Sequence, residues 1–249
     1  GYDLIITVTF NMLDATEAIA EQFPNVQFAI IDADSDIPNV SGVIFKEHVG
    51  SYLVGVLAGK MTQSNVLGFV GGAENPLIAR FEKGFTMGAQ AVNPEARVLV
   101  GYAGVFDDPA KGKEVAIAHY NRGADIVYHA AGKTGEGVIE AAKELDKWVI
   151  GVDSDQCYIA PENMIASMMK RLDVAVFNII KDFIEGNFVP GTKIFGLEED
   201  AVGPCLMYPL DYEHHHFPGI EEAMEAVDVY YHKLLSGEIV VPDPAGMLD

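Results

Sequence analysis

The sequence has few positive charges, and this shortage excludes several kinds of partner. Its 249 residues contain 16 Lys+Arg against 37 Asp+Glu, which gives a formal net charge of −21. A surplus of acid this large repels phosphate backbones and anionic lipid headgroups, so we expect neither nucleic acid nor an acidic membrane surface as a partner. Neutral or cationic small ligands suit the composition better.

Long hydrophobic runs and cysteines are also scarce. The longest uncharged, strongly apolar stretch is Val49–Gly59, far short of the roughly 20 residues that cross a bilayer. The chain opens on a buried-strand pattern at Gly1–Ile6, and this opening segment does not have the pattern of a signal peptide. Cys157 and Cys205 are the two cysteines, and they are read either as one disulfide of an exported protein or as two buried thiols.

The remaining acid is distributed unevenly along the chain. Residues 1–45 contain no Lys or Arg, and residues 194–249 contain only Lys233 beside 12 acids. No run of five like charges occurs, which favours a solvated acidic surface over a disordered tail or an acidic binding face.

Hydrophobic periodicity predicts strands that alternate with helices. Because 49% of the residues are hydrophobic, a substantial core is expected. The predicted strands are Leu4–Phe10, Val26–Asp32, Gly42–Phe45, Val66–Val70, Arg97–Tyr102, Asp125–His129, Trp148–Val152, Met164–Met168 and Lys193–Leu197. The predicted helices are Ala15–Gln22, Gly50–Met61, Pro76–Ala91, Pro109–Asn121, Gly135–Leu145, Val174–Glu185 and Ile220–Leu235. This alternation indicates an α/β fold with parallel sheets covered by helices.

Residues that directly follow the strands are the expected ligand contacts, because ligands of such sheets bind at the carboxyl ends of the strands. These segments combine carboxylates, aromatic rings and glycines. Carboxylates accept hydrogen bonds from vicinal hydroxyls, and aromatic rings stack on flat bases. The combination suits a sugar or nucleoside better than a phosphate. The segments begin at Phe10, Asp32, Gly71, Gly104, His129 and Asp153.

The candidate motifs of catalysis and cofactor binding are incomplete or absent in this sequence. Gly132-Lys133-Thr134 lacks the glycine that a phosphate-binding loop needs five residues earlier, where Val127 stands. Gly71-Gly72 is not a dinucleotide fingerprint, and no serine-nucleophile elbow or CxxC pair occurs. We therefore predict neither a cofactor nor a catalytic residue.

Histidines offer no convincing metal site. His214–His216 with Glu213 is read as a solvent-exposed loop rather than a metal site, since adjacent side chains point in different directions. His48 and His129 are each read as structural histidines, because no motif places a nucleophile beside them. No metal site is predicted.

Longer segments carry a family resemblance. The stretches GYDLIITVTF, PNVSGVIFKEHVGSYLVGVLAGK, GFVGGAENPLIARFEKGF, VNPEARVLVGYAGVFDDPAKGKEVA, GADIVYHAAGKTGEGVIEAAKE, IGVDSDQ and SMMKRLDVAVFNIIKD occur in this order. Together they resemble the basic membrane protein family, and within it the purine nucleoside receptor lipoproteins of ABC transporters.

The resemblance implies a type I periplasmic-binding fold of two lobes, with a nucleoside in the cleft between them. It assigns residues 1–46 and 168–192 to the first lobe, and residues 47–167 and 193–249 to the second. Family members carry further strands and helices upstream of the position that matches Gly1, so we expect the first lobe to be incomplete in this chain.

The resemblance also implies ligand contacts. Asp32 matches an acid that binds the purine, with a turn or helix cap as the alternative. Tyr128 matches an aromatic residue that stacks on the base, with a core position as the alternative, in which case His129 takes the outward direction. Gly151, Asp153 and Asp173 match the ribose-binding group, and Asp173 is alternatively the N-cap of the following helix.

Two weaker candidates and one departure complete the expected site. Phe10 and Arg80 are the weaker contacts, and Arg80 alternatively pairs with a nearby acid. Glu198 stands where the family commonly has a lysine that contacts ribose. The substitution removes a donor and predicts weaker binding or a different choice of ligand.

The expected function is a monomeric binding protein that captures a nucleoside, with purine nucleosides as the expected class, and delivers it to the permease subunits of an ABC importer. We expect it outside the cytoplasm, on a lipid anchor that lies outside this chain. A ligand-sensing regulator with the same fold is the alternative, and a nucleoside-hydrolysing enzyme is a third reading that no metal-binding aspartate cluster supports.

Overall fold

The computed structural model describes residues 1–208, 217–246 and 248 of the chain. Ten strands and seven α-helices occur in this part. The strands are β1 (Leu4–Val8), β2 (Gln27–Ile31), β3 (Val40–Phe45), β4 (Val66–Gly71), β5 (Arg97–Tyr102), β6 (Ile126–Ala130), β7 (Trp148–Asp153), β8 (Met164–Lys170), β9 (Lys193–Phe195) and β10 (Val202–Pro204). The helices are α1 (Leu13–Ala20), α2 (Glu47–Met61), α3 (Pro76–Val92), α4 (Pro109–Asn121), α5 (Gly135–Leu145), α6 (Leu172–Ile184) and α7 (Ile220–Leu235).

The chain divides into two compact units. Unit 1 comprises Gly1–Lys46 and Arg171–Ala201, and unit 2 comprises Glu47–Lys170 and Val202–Asp249. Each unit contains one sheet, and the chain passes from unit 2 to unit 1 and back again between β8 and β10.

Unit 1 is built on a four-stranded sheet of order β1-β2-β3-β9, and every pair of neighbouring strands is parallel. A small apolar cluster that includes Phe28, Ile30 and Val40 fills its core. Asn39 ties this core to the loop after α1, because its side-chain amide donates to the carbonyls of Ala20 and Val26 at 3.1 and 2.8 Å.

The lobe boundary predicted at residue 193 is wrong. Residues 193–201 belong to unit 1, because β9 pairs in parallel with β3 through Val43–Lys193 and Phe45–Phe195. The boundary predicted at residue 168 lies instead after residue 170, because β8 continues in the sheet of unit 2 as far as Lys170. Hydrophobic periodicity marks β9 as a strand but carries no information on which sheet it joins.

Unit 2 contains a six-stranded sheet of order β10-β8-β7-β6-β4-β5. The strands from β4 to β8 are parallel to their neighbours, and β10 is antiparallel to β8. Parallel sheets that alternate with helices confirm the predicted α/β class.

Helix α2 lies deep in unit 2 and explains the apolar run Val49–Gly59. Thirteen of its 15 residues are buried, as expected of a helix that is apolar on all sides. It packs closely on α3 through glycines, and a Cβ added at Gly59 would lie 2.6 Å from the Ala89 carbonyl oxygen. No real Cβ approaches an oxygen so closely, so glycine is required at this contact.

Within the described residues, no helix is both long enough and apolar enough to cross a membrane. Glu213 and His214–His216 lie outside the described residues.

Candidate functional site

Asp153 is the most accessible of the predicted contacts in unit 2. It is the last residue of β7, and it adopts a left-handed backbone conformation with φ 65°. Its side chain is 49% exposed, and its Oδ1 lies 3.7 Å from Nζ of Lys170. The carboxyl end of this sheet therefore presents a hydrogen-bond acceptor with a cation beside it.

Lys170 was missed by the sequence analysis. It is the last residue of β8, the strand that pairs with β7, and its side chain is only 6% exposed. Burial of an ammonium group is costly unless an anion is near, which makes the pairing with Asp153 structurally important. The sequence does contain a signal for Lys170. One apolar strand ends in aspartate, and the next apolar strand along the chain ends in lysine.

Gly151 supports the turn that follows β7. Any Cβ at this position would collide with Ser167 Oγ and would lie 2.5 Å from Gln156 Oε1. The Gln156 side chain holds the turn, because Val152 N donates to Gln156 Oε1 at 3.0 Å, and Gln156 N donates to Ser167 Oγ at 3.2 Å. The buried Gly151 thus acts through backbone packing next to Asp153.

Tyr128 lies in the core of unit 2 and has no exposed surface. Its ring centroid is 5.6 Å from that of Phe69 and 5.1 Å from that of Phe85, and its hydroxyl lies 3.1 Å from Ser51 Oγ. Burial raises the pKa of the Tyr128 hydroxyl well above its usual value. Tyr128 therefore occupies a core position, which the sequence analysis gave as the alternative to stacking on a base. In this structure neither face of its ring is accessible to a ligand.

His129 does not take the outward direction either, since it is also fully buried. A Cβ added at Gly135 would collide with its imidazole ring, so the helix α5 can begin there only with glycine. Burial lowers the pKa of His129 to about 4, and the opposing effect of the Gln156 side chain is smaller. The imidazole is therefore neutral at physiological pH.

Arg80 forms a buried ion pair and is only 4% exposed. Its Nε donates to Asp243 Oδ1 at 2.9 Å and its Nη2 to Oδ2 at 3.2 Å, while Nη1 lies 3.5 Å from Glu47 Oε2. The prediction of Arg80 as a ligand contact is not supported by this arrangement, because two carboxylates that are themselves buried surround the guanidinium. Its acidic partners come from α2 and from the C-terminal segment.

In unit 1, Asp32 and Phe10 follow neighbouring strands. Asp32 comes directly after β2 with φ 69°, and its backbone N–H donates to Val43 O at 2.9 Å. Its side chain is half-buried. Phe10 begins a short 3-10 turn after β1 and packs, partly buried, against the apolar cluster around Phe28.

Asp173 lies in the first turn of α6, whose N-cap position is Arg171. The alternative of Asp173 as the N-cap is therefore wrong by two residues. Arg171 Nε and Nη2 donate to the Asp173 carboxylate at 2.9 and 2.8 Å, and this contact holds the pKa of Asp173 below its usual value. The carboxylate is 66% exposed, so it remains accessible as an acceptor.

Glu198 has a cation next to it. Lys46 Nζ lies 3.5 Å from Glu198 Oε1, and both side chains are partly exposed. Unit 1 therefore has a lysine ammonium beside position 198, although the residue at 198 is an acid.

The two cysteines are free thiols, both of them fully buried, with their Sγ atoms 3.7 Å apart. Of the two readings that the sequence left open, this structure has the buried thiols.

Solved structures define the class of protein to which this arrangement belongs. A solute-binding protein of an ABC transporter system from Aeropyrum pernix K1 superposes with a TM-score of 0.83 at 29% identity, over 97% of this chain and 78% of that one. The fold is that of ABC transporter solute-binding proteins of the type I periplasmic-binding kind.

The chain belongs to the Bmp family of PnrA-like ABC transporter substrate-binding proteins, whose family model matches residues 1–234. It is 40% identical to the CD4+ T-cell-stimulating antigen of Listeria monocytogenes, over 97% of this chain and 71% of that protein. It is 39% identical to the ABC transporter nucleoside-binding protein BmpA of Lactococcus lactis, over 78% of this chain and 60% of that protein. The predicted family is confirmed, and the chain is an ABC transporter substrate-binding protein.

Proposed function

We propose that this substrate-binding protein captures nucleosides, with purine nucleosides as the preferred class, and passes them to the permease of an ABC importer. The observation that carries the proposal is the pair formed by Asp153 and Lys170 at the carboxyl end of the unit 2 sheet. The name of the Lactococcus lactis relative, a nucleoside-binding protein, supports the same ligand class.

The chemistry of Asp153 suits a neutral, hydroxyl-rich ligand. A half-exposed carboxylate accepts hydrogen bonds from two vicinal hydroxyls, and hydrogen bonds to a charged acceptor are stronger than neutral ones. Lys170 lies on the neighbouring strand, with its Nζ 3.7 Å from Asp153 Oδ1, so the acceptor has a cation beside it. A ribose offers the vicinal hydroxyls that this acceptor needs.

Unit 1 supplies further proposed contacts, two of them after its strands β1 and β2 and one in the first turn of α6. Asp32 is proposed to accept hydrogen bonds from the base, and Asp173 is proposed to accept them from the ribose. Phe10 is proposed to contribute apolar contact. Tyr128 and Arg80 are proposed to support unit 2 from within, since both are buried. Gly151 is proposed to shape the turn that presents Asp153.

The proposed mode of action is binding and release, without a bond-breaking step. We place the protein outside the cytoplasmic membrane as a monomer held there by a lipid anchor, which accords with its family of ABC transporter substrate-binding proteins. The permease is the protein partner, and the binding energy of the ligand selects the conformation that the permease recognises.

Isothermal titration calorimetry of the full-length protein with inosine, guanosine and adenosine tests this function. We expect saturable heat with at least one of them and much weaker binding of free ribose. Asp153→Asn removes the charged acceptor, and since such a hydrogen bond contributes about 1.5–3 kcal/mol, affinity should fall about 10- to 100-fold.

Asp146→Asn is the matched control, because Asp146 is an exposed aspartate that precedes β7, at the opposite end of this strand from Asp153. It should bind like the unchanged protein. Circular dichroism melts of both variants exclude a folding defect. The absence of saturable heat with all three nucleosides would refute the proposed ligand class, and equal affinity of both variants would refute the role of Asp153.

A further inference from the structure

Two turns of unit 2 bring the two cysteines together. Cys157 begins the 3-10 turn that follows β7, and Cys205 begins the 3-10 turn that follows β10. In the sheet, β8 lies between these two strands, and the turns meet beside Ser167, the middle residue of β8. The sulfur atoms are 3.7 Å apart although 48 residues separate the cysteines in sequence.

A carboxylate completes a group of three donor atoms. One oxygen of Asp155 and the two sulfurs all lie within 4.8 Å of one another. Asp155 is fixed locally, because its Oδ1 accepts a hydrogen bond from Cys157 N at 3.1 Å. The aspartate is partly exposed while both cysteines are buried, so the group is open to solvent on the side of the carboxylate.

Ser167 of β8 holds both turns in place. Its backbone N–H donates to Cys205 Sγ at 3.1 Å, and its Oγ accepts a hydrogen bond from Gln156 N at 3.2 Å. Hydrogen bonds from supporting groups orient metal ligands and tune metal sites, including backbone donors to cysteine sulfur. Ser167 itself is fully buried, which makes this support rigid.

The sulfur separation fits metal coordination better than a disulfide. Two thiolates at about 2.3 Å from a tetrahedral ion lie about 3.8 Å apart. In a disulfide the sulfurs would be about 2.05 Å apart. The observed 3.7 Å, a thiol–thiol hydrogen-bond contact in this structure, matches the separation that two thiolates have on one ion.

We propose that Asp155, Cys157 and Cys205 bind a thiophilic divalent cation of the Zn²⁺ class. Two sulfur donors select against Mg²⁺ and Ca²⁺, and the carboxylate oxygen is an ordinary third ligand of zinc. Each thiol releases its proton to solvent as it binds the ion. Water occupies the fourth position, on the open side of Asp155.

The site has a structural consequence for the turn after Asp153. An ion bound to these ligands ties the turn after β7 to the turn after β10 and thereby restrains the residues that directly follow Asp153. Because the ion binds only the folded arrangement of the three ligands, it also stabilises unit 2.

Cobalt substitution of the full-length protein tests the site. The protein is reduced, stripped with a chelator and titrated with Co²⁺. We expect one equivalent to bind, with the near-ultraviolet thiolate-to-cobalt charge-transfer absorption that marks Cys ligation, and Zn²⁺ to abolish this absorption by displacement. A rise in thermal midpoint on addition of Zn²⁺ is the second readout.

Substitutions of the ligands separate this site from other metal-binding residues. Cys157→Ser and Cys205→Ser should each abolish the charge-transfer absorption. Asp155→Asn keeps both cysteines and should weaken Co²⁺ binding by at least the roughly 10- to 100-fold that loss of a supporting group costs. Asp146→Asn, at an exposed aspartate after α5, is the matched acidic control and should leave Co²⁺ binding unchanged. Substitution of all three of His214–His216 by alanine should also leave Co²⁺ binding unchanged.

Several outcomes would overturn the proposal. They are the absence of charge-transfer absorption, absorption that persists in both serine variants, and Co²⁺ binding that the histidine substitutions remove. A disulfide between Cys157 and Cys205 in the protein as isolated, seen as a 2 Da mass loss that reduction reverses, would also overturn it. If the serine variants fail to fold, the Asp155→Asn titration decides.

Discussion

Two buried cations of unit 2 differ in the exposure of their partners. Arg80 pairs with Glu47 and Asp243, whose side chains have no exposed surface. Lys170 pairs with Asp153, whose side chain is half exposed. The first arrangement is enclosed by two carboxylates with no exposed surface and is structural. The second leaves acceptor capacity directed to solvent, and this difference is why we assign ligand binding to Asp153 and not to Arg80.

His129 makes the stability of the protein depend on pH. In the folded protein its pKa is about 4, against about 6.5 in an unfolded chain. Between these values the unfolded state binds more protons, so the stabilising effect is present above pH 6.5 and is lost as the pH falls toward 4. The loss should reach about 3 kcal/mol at the lower end.

Urea unfolding of the unchanged protein and of His129→Gln, at several pH values from 7 to 4, measures this effect. The difference in unfolding free energy between the two should shrink as the pH falls, because only the unchanged protein must protonate or expose a buried imidazole. His119, whose pKa burial also lowers, is present in both proteins and cancels. The exposed His232→Gln is the control, and parallel pH curves for His129→Gln and the unchanged protein would contradict the prediction.

At the scale of elements, the glycines between α2 and α3 set the distance between the two helices. A Cβ added at Gly88 would collide with the Tyr52 carbonyl oxygen, and one at Gly84 would collide with that of His48. In an isolated helix, alanine is better than glycine by about 0.5–1 kcal/mol. The contact with α2 should reverse this preference, since backbone atoms cannot move aside as a flexible side chain does.

Gly88→Ala should therefore destabilise the protein by about 1–3 kcal/mol, as overpacking of a core does. Chemical denaturation measures the change in unfolding free energy. Lys83→Ala, at an exposed position of the same helix, is the control and should stay within about 0.5 kcal/mol of the unchanged protein. A stabilised Gly88→Ala variant would show that α2 and α3 are less tightly packed than this structure has them.

The sequence predicted the strands and helices better than it predicted which strands pair with each other. Each of the nine predicted strands and seven predicted helices has a counterpart, because alternating apolar runs and caps such as Asn75 are local features. The strand β10 was missed, since Val-Gly-Pro is too short to show periodicity. The pairing of β9 with β3 was missed because it joins residues about 150 positions apart.

The candidate site was predicted unevenly for the same reason. Asp32 and Asp153 are at strand ends, where the fold class alone directs attention. Tyr128, inside β6, and Arg80, inside α3, were named from the family resemblance, but the tertiary packing of Phe69 and Phe85 and of Asp243 removes them from solvent. The group formed by Cys157 and Cys205 is invisible in sequence, since only the sheet order brings their turns together.

At the scale of the whole molecule, the surplus of acid opposes folding. A net charge of −21 on a compact chain produces self-repulsion, which the expanded unfolded chain relieves. Residues 1–45 contain no Lys or Arg, so any cation that offsets the acids of this stretch comes from another part of the chain. Salt reduces it, because the Debye length falls from about 30 Å at 0.01 M to about 3 Å at 1 M.

The thermal midpoint should consequently rise as NaCl increases from about 0.01 to 0.5 M, by roughly 2–4 °C for each kcal/mol of repulsion that is screened. Single charge reversals at exposed positions test the cause. Glu225→Lys should raise the midpoint at low salt, and Lys83→Glu, at an exposed position inside α3, should lower it, with both differences shrinking at high salt. Differential scanning calorimetry measures all three proteins. If both reversals lowered the midpoint equally, local contacts rather than net charge would set the salt response.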